Sequence, residues 1–440
     1  MIATLRNGSF ARLWLGGLIS LMGDWALNVG LPIYVLLLTH SVVALSITVL
    51  ASSVPGVVLS SLAGVFVDRW SHKRTLVVTN VLLAVGLLPL LLVRTPENVW
   101  ILYAVGAVEG SVEQFFMPAQ NALLPALVGE EHVVAANSLN SLSSNLARLI
   151  GPALGGLIAA TFALNGIVVV DAVSFLVAAL LTASIVAPVT VMPQPAPHER
   201  SHFWRDWAEG MRAIMRERML VALLLMYTIV MLGEGVFGVL YPAYVSQVLH
   251  GGALEIGQLM SAQAVGGLIG GLLVGWAGKR VMSRWSIGFS SVAFGAIDLA
   301  AFNLPVLYAL ALTVLGIAAP VPIFWVALGL FVAVGIPGIG FLTGMQSLMQ
   351  VVAPEAFRGR IFGALGMTMG LFRLVGALAA GLLTDRLGLV RVLNIQGAGY
   401  VLAGLLGLLL LGRHVASRTP PSESAPPELV TPSGEAVGWQ

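Results

Sequence analysis

Long apolar runs separated by short polar breaks recur from one end of the chain to the other. A helix needs about 20 mostly apolar residues to cross the hydrocarbon core of a bilayer. Counted on that length, the runs predict twelve membrane helices, spans 1 to 12: Ser9 to Leu38, Val42 to Val67, Thr75 to Val93, Val99 to Val128, Val133 to Phe162, Leu164 to Val186, Met219 to Leu249, Leu254 to Ala277, Trp285 to Phe302, Pro322 to Val352, Ile361 to Leu383 and Val392 to Leu411. The first run exceeds 25 residues and has no small-residue cleavage site, so a removable signal peptide is not expected. Between spans 9 and 10, Asn303 to Val321 is apolar but punctuated by Pro305 and Pro320. The basic clusters flanking this region belong on one side of the membrane, so it reads as an outer hairpin.

The polar interruptions define the organisation. The expected fold is an all-α membrane protein of two six-helix bundles, residues 1–188 and 219–412, joined by a linker at 189–218 and followed by a tail at 413–440. The joining region opens with Pro188, Pro193, Pro195 and Pro197. It then places Trp204, Trp207, Met211, Ile214 and Met215 at helical spacing, which predicts an amphipathic helix lying on the membrane surface. The tail is rich in Pro, Ser and Glu and is expected to be disordered.

Composition narrows the class. Of 440 residues, 58% are hydrophobic and 10% charged, against about a quarter charged in a soluble domain, so an ordinary soluble enzyme is excluded. The chain has no cysteine and a net charge of +2, which leaves no thiolate chemistry and no basis for a nucleic-acid partner. Of 22 Lys and Arg residues, 17 fall in loops on the side of both termini. Arg94, Arg386 and Arg391 fall on the other side, and Arg148 and Arg373 inside spans. Basic residues collect in cytoplasmic loops, which places both termini in the cytoplasm. Neither Lys73 nor Lys279 sits in a phosphate-cradling Gly-Lys-Ser/Thr sequence, so ATP is excluded as an internal drive. No cofactor is expected and no catalytic arrangement stands out.

An internal duplication is legible. Gly23, Asp24, Pro32, Tyr34 and Val35 of span 1 recur as Gly233, Glu234, Pro242, Tyr244 and Val245 of span 7, each displaced by 210 residues. In spans 5 and 11, Arg148, Leu149, Gly151, Gly156 and Leu157 recur as Arg373, Leu374, Gly376, Gly381 and Leu382, displaced by 225. Two related halves are common in transporters.

Two motifs carry a resemblance. Gly64, Asp68, Arg69, Lys73 and Arg74, with Leu76, occupy the loop between spans 2 and 3. Their spacing resembles the signature of that loop in the major facilitator superfamily, although Ser71 and His72 replace its Gly and Arg. Such a cluster can latch two halves in one state, or can simply be a solvated basic loop. In span 5, Gly151, Pro152, Gly155 and Gly156 look like the Gly-Pro-x-x-Gly-Gly motif of drug/proton antiporters in the same superfamily. With Asn137 to Asn140 and Arg358 to Arg360, the chain resembles the branch that contains the enterobactin exporter and macrolide efflux proteins. The resemblance covers roughly Ser9 to Gly412. It implies a central cavity lined by spans 1, 4, 7 and 10 and rocker-switch alternating access, with export favoured.

Ionisable residues are costly in a bilayer, about 2.5–3.5 kcal/mol each on insertion scales, so their presence calls for a reason. The spans hold Asp24, Glu109, Glu113, Arg148, Asp171, Glu234, Asp298 and Arg373. Glu109 and Glu113 share a helix face, and their repulsion suits a proton carrier. Asp24, Glu109, Glu113, Arg148 and Glu234 are therefore the expected proton-coupling and cavity residues, with Arg148 biasing the protonation or pairing with Glu113. Asp24 and Glu234 can instead bond backbone freed by Pro32 and Pro242. Asp171 and Asp298 read as structural, as does Arg373. The aromatics Trp25, Phe115, Phe116, Phe237, Tyr241 and Tyr244 suit a bulky lipophilic or cationic cargo. The expectation is a monomeric secondary transporter in the inner or plasma membrane, taking a small-molecule substrate and protons. A siderophore exporter, a nutrient-importing facilitator and a non-transporting sensor stay open beside it.

Overall fold

The computed structural model describes residues 2–67, 69–186, 203–315 and 321–411. Backbone polar groups in lipid must be satisfied within their own segment, and among the described residues the regular structure is all helical. The helices are α1 (Ile2–Leu5), α2 (Gly8–Thr39), α3 (Val42–Val67), α4 (His72–Leu87), α5 (Val99–Glu113), α6 (Phe116–Val128), α7 (Val133–Ala183), α8 (Phe203–Arg216), α9 (Arg218–Gln247), α10 (Ala253–Ala277), α11 (Arg284–Phe302), α12 (Leu304–Leu315), α13 (Ile323–Val352), α14 (Arg358–Leu387) and α15 (Leu389–Leu410). Ten helical stretches among these residues are long and apolar enough to cross a membrane.

Three spans depart from the simple reading. Span 4 is two helices, α5 and α6, separated at Gln114 and Phe115. Pro118 has no N–H to give the carbonyl of Gln114 and its ring crowds that carbonyl, so the helix breaks one turn earlier. Spans 5 and 6 run together as α7, which breaks at Ala163 (φ 53°, ψ −154°), the residue the apolar pattern leaves between them. The expected outer hairpin instead contains the apolar helix α12. Hydropathy suits helix there, and Pro305, in its first turn, sits where a missing N–H costs nothing. The Tyr308 hydroxyl donates to the Val321 carbonyl beyond it.

Packing repeats as the sequence does. Span 1 lies along α7 and span 7 along α14 and α15; α3 packs on α5 as α10 packs on α13; α4 packs on α7 as α11 packs on α15. The duplicated tyrosines make duplicated bonds: Tyr34 Oη donates to the Val93 carbonyl (2.6 Å) and Tyr244 Oη to the Ala301 carbonyl (2.5 Å). Spans 1 and 7 also end on histidines 210 apart, His40 and His250, both left-handed at φ 50° and 55°. The α7–α10 and α3–α14 contacts connect the two sets of helices.

Candidate functional site: two cavities and the contacts that seal them

Gly106 and Gly110 bring α5 against α3. A methyl group at Gly110 would lie 2.1 Å from the Ser52 carbonyl oxygen, so no side chain fits there. On the adjoining face, Glu109 and Glu113 line a cavity of about 1870 Å³ together with Asp24. Gly23 admits a fourth carboxyl group, because a methyl there would lie 2.3 Å from Asp171 Oδ1. Asp171 thus lies against span 1 beside Asp24 rather than at the periphery. Ser174 Oγ donates to Asp171 Oδ1 (3.2 Å), while Asp171 Oδ2 and Glu109 Oε1 are buried without a hydrogen-bond partner among the described residues.

The expected central cavity comprises two adjoining spaces. The large one draws on spans 1, 2, 4, 5 and 11 and on α8, whereas spans 7 and 10 line a second cavity of about 370 Å³. Arg148 and Glu234 face this second space together with Asp298, Gln396 and Tyr400. Arg148 therefore does not pair with Glu113 among the described residues. Glu234 bonds a side chain rather than freed backbone: Tyr400 Oη donates to its Oε1 (2.9 Å). Asp298 accepts from Gln396 Nε2 (3.2 Å). Arg373 lines both cavities and marks where they meet.

The aromatic inventory changes too. Phe116 lines the large cavity and Phe237 the small one. Tyr241 and Tyr244 are buried in the core, with Tyr241 Oη donating to the Ile256 carbonyl (3.0 Å). The cavity wall contains Trp14, Gln114, Gln120 and Asn121, which single uncharged polar or aromatic positions did not reveal in the sequence.

The span 5 motif is a two-sided spacer. Methyl groups at Gly151 and Gly155 would lie 2.5 Å from Trp25 Cβ and 2.4 Å from Ala26 Cα, so both residues seat α7 on α2. Gly156 meets the Ala253 carbonyl of α10 at 2.5 Å, and Gly257 meets that of Pro152 at 2.2 Å by the same measure. The repeat copies this: Gly376 meets the Leu232 carbonyl at 2.1 Å, and Gly381 meets Ser46 Cβ at 2.8 Å. Ser46 Oγ also donates to the Ala377 carbonyl (2.5 Å). These α7–α10 and α3–α14 contacts lie at one end of the bundle. The large cavity extends to the other, where Arg360 and Glu209 line it.

In the loop between spans 2 and 3, Lys73 Nζ donates to the Ile185 carbonyl (2.6 Å) beyond the end of α7. Arg12 Nη1 donates to that of Ser184 (2.7 Å). A cation on the last carbonyls of a helix is favourable. Lys73 thus ties span 3 to span 6 within one half. Gly64 lies in the last turn of α3, Arg69 and Arg74 are exposed, and Asp68 lies outside the described residues. Trp70 stacks on Phe115 at the break in span 4 (ring centres 5.8 Å apart).

The linker helix packs partly on protein. Ile214 of α8 is fully buried among Leu220, Leu223, Ile361 and Leu365. A methyl at Gly210 would lie 2.3 Å from the Arg360 carbonyl, and Arg360 Nη1 pairs with Glu209 Oε2 at 3.1 Å. Part of the apolar face is covered by α14, while Met215 stays exposed. The Pro-rich stretch and the tail expected to be disordered lie outside the described residues.

A polytopic helical fold with duplicated halves around charged internal cavities defines a membrane transporter. The family model described as Major Facilitator Superfamily matches residues 13–327 and 223–439, and the chain belongs to that superfamily. It is 25% identical over 393 residues to macrolide efflux protein A of Streptococcus pyogenes, covering 86% of this chain and 90% of that one. It is 28% identical over 425 residues to the enterobactin exporter of Citrobacter koseri, covering 94% of each. Among solved structures it resembles a bacterial homologue of the iron transporter ferroportin in an inward-facing state (TM-score 0.71, 20% identity, 91% of this chain and 98% of that one). The likeness to an outward-facing state of such a homologue has a TM-score of 0.57 (21% identity, 91% and 99%).

Proposed function

We propose that the chain is a proton-coupled exporter of bulky lipophilic or cationic compounds, working by alternating access. One observation carries the coupling: Asp24, Glu109 and Glu113 line one large cavity and Asp171 lies against Gly23 beside them, with no basic side chain ion-paired to any of the four among the described residues. A proton on any one of them relieves the repulsion on the rest, and a cationic cargo does the same, so the two compete for one site. Efflux as the direction rests on the relatives named for macrolide efflux and enterobactin export.

The reading includes twelve crossings in two six-helix bundles, with α7 supplying two crossings and α5 with α6 one. The 17 basic loop residues put both termini and α8 on the cytoplasmic side. The structure is then the inward-facing state, which the higher likeness to an inward-facing neighbour supports. Everted membrane vesicles energised to acidify their interior test it with rhodamine 6G as the cargo. Dye accumulation is expected to collapse with a protonophore and to fall at least tenfold in Glu109→Gln with Glu113→Gln. Undiminished, protonophore-sensitive accumulation in that double variant removes the carboxylates from the coupling step.

A further inference from the structure

The two arginines inside the spans are repeat partners, Arg148 on α7 and Arg373 on α14, and the structure brings both to the wall of one 370 Å³ cavity. The carboxylates sharing that wall accept hydrogen bonds from neutral neighbours on it, Glu234 from Tyr400 and Asp298 from Gln396. Neither guanidinium has a hydrogen-bond or ion-pair partner among the described residues. Those neutral donors occupy acceptor sites on the carboxylates without cancelling their charge, whereas both guanidinium forks, suited to planar oxyanions, keep their donors for a ligand. Around them Phe237, Phe294 and Ile339 supply an apolar surface, and the volume falls within the usual range for a small-ligand pocket, about 300–1,000 Å³.

We infer that Arg148 and Arg373 form a subsite for an anionic group on an amphipathic ligand, a carboxylate or other planar oxyanion attached to an aromatic or aliphatic body. Because Arg373 also lines the large cavity, a ligand can extend from this subsite toward the four carboxyl groups. The preferred cargo is thereby amphoteric, with its cationic end in the N-terminal half and its anionic end at the arginines. This deepens the exporter reading and names a substrate class for the same central space. The subsite needs only binding, so it stands or falls independently of proton coupling.

The test is equilibrium fluorescence titration of the purified protein in lipid nanodiscs with dansylglycine and dansylamide, which differ in the carboxylate and share the fluorescent body. Empty nanodiscs give the background. Wild-type protein is expected to bind dansylglycine at least tenfold more tightly than dansylamide. That preference is expected to vanish in Arg148→Gln with Arg373→Gln, and to return in large part with Lys at both positions, which also shows that the site folds. Equal binding of both probes to wild type, or a carboxylate preference that survives in the double Gln variant, overturns the subsite whatever the transport assays show.

Discussion

Gly155 has no room for a side chain, because the backbone of Ala26 occupies the position of its first carbon. Overpacking of this kind costs about 1–3 kcal/mol. Gly155→Val is expected to lower the melting temperature of the detergent-solubilised protein by several degrees and to weaken transport. Gly238→Val, at a glycine with nothing within 4 Å, is the control expected to change little. Charged residues were legible at this scale because each stands alone in an apolar run at a known cost. What they face was not: Asp171 joins the cluster only because Gly23 leaves space for it, and Arg148 turns to the smaller cavity, away from Glu113. Nor did Gly106, Gly110 and Ser46 announce themselves, since small residues are common in any helix that packs in a membrane.

At the scale of elements, length did most of the reading. The 51 residues of α7 are too many for one crossing, so the apolar pattern placed the break at Ala163 correctly. Span 4 was read as one helix because Pro118 does not interrupt an apolar run, although it does interrupt a hydrogen-bond ladder. The α8 helix was recognised, but its amphipathic pattern does not say whether lipid or protein covers its apolar face. Its attachment gives a pH test. The hydrogen bond from Arg205, and then the charge of Arg360, hold the Glu209 carboxyl below its ordinary value of 4.5. A carboxyl lowered on folding stabilises the attachment above its unfolded value, and that contribution is lost as pH falls through the folded one. A spin label at Met215→Cys, in a chain without native cysteine, is expected to keep constant mobility from pH 8 to about 5 and to loosen below about pH 4. With Glu209→Gln the loosening at low pH is expected to disappear, while the buried Ile214 keeps the label's mobility near the wild-type value at neutral pH. Identical pH profiles in the two proteins would show that this pair does not hold α8.

At the scale of the whole molecule, the duplication seen as offsets of 210 and 225 in the sequence returns as matched helix pairings, matched tyrosine bonds and matched glycine contacts. The two adjoining spaces at the centre, each lined by residues of both halves, escaped the sequence because they depend on how the helices tilt. The sealed end is held by contacts of the kind that must break for the opposite opening. The Ser46 bond to Ala377 is one of them, and a single hydrogen bond contributes about 1 kcal/mol. Ser46→Ala is expected to shift the population toward the other opening by up to about fivefold, read as faster alkylation of a cysteine placed at Thr48 by a membrane-impermeant reagent added on the sealed side. Unchanged labelling would mean that the bond does not bias the two states. The central claim, that a proton gradient drives cargo through this cavity, is tested most directly with purified protein in liposomes loaded with rhodamine 6G. A pH gradient imposed in either orientation is expected to drive the dye toward the more acidic side, reversing when the gradient is reversed and stopping in Glu109→Gln with Glu113→Gln. Dye movement indifferent to the sign of the gradient would contradict it.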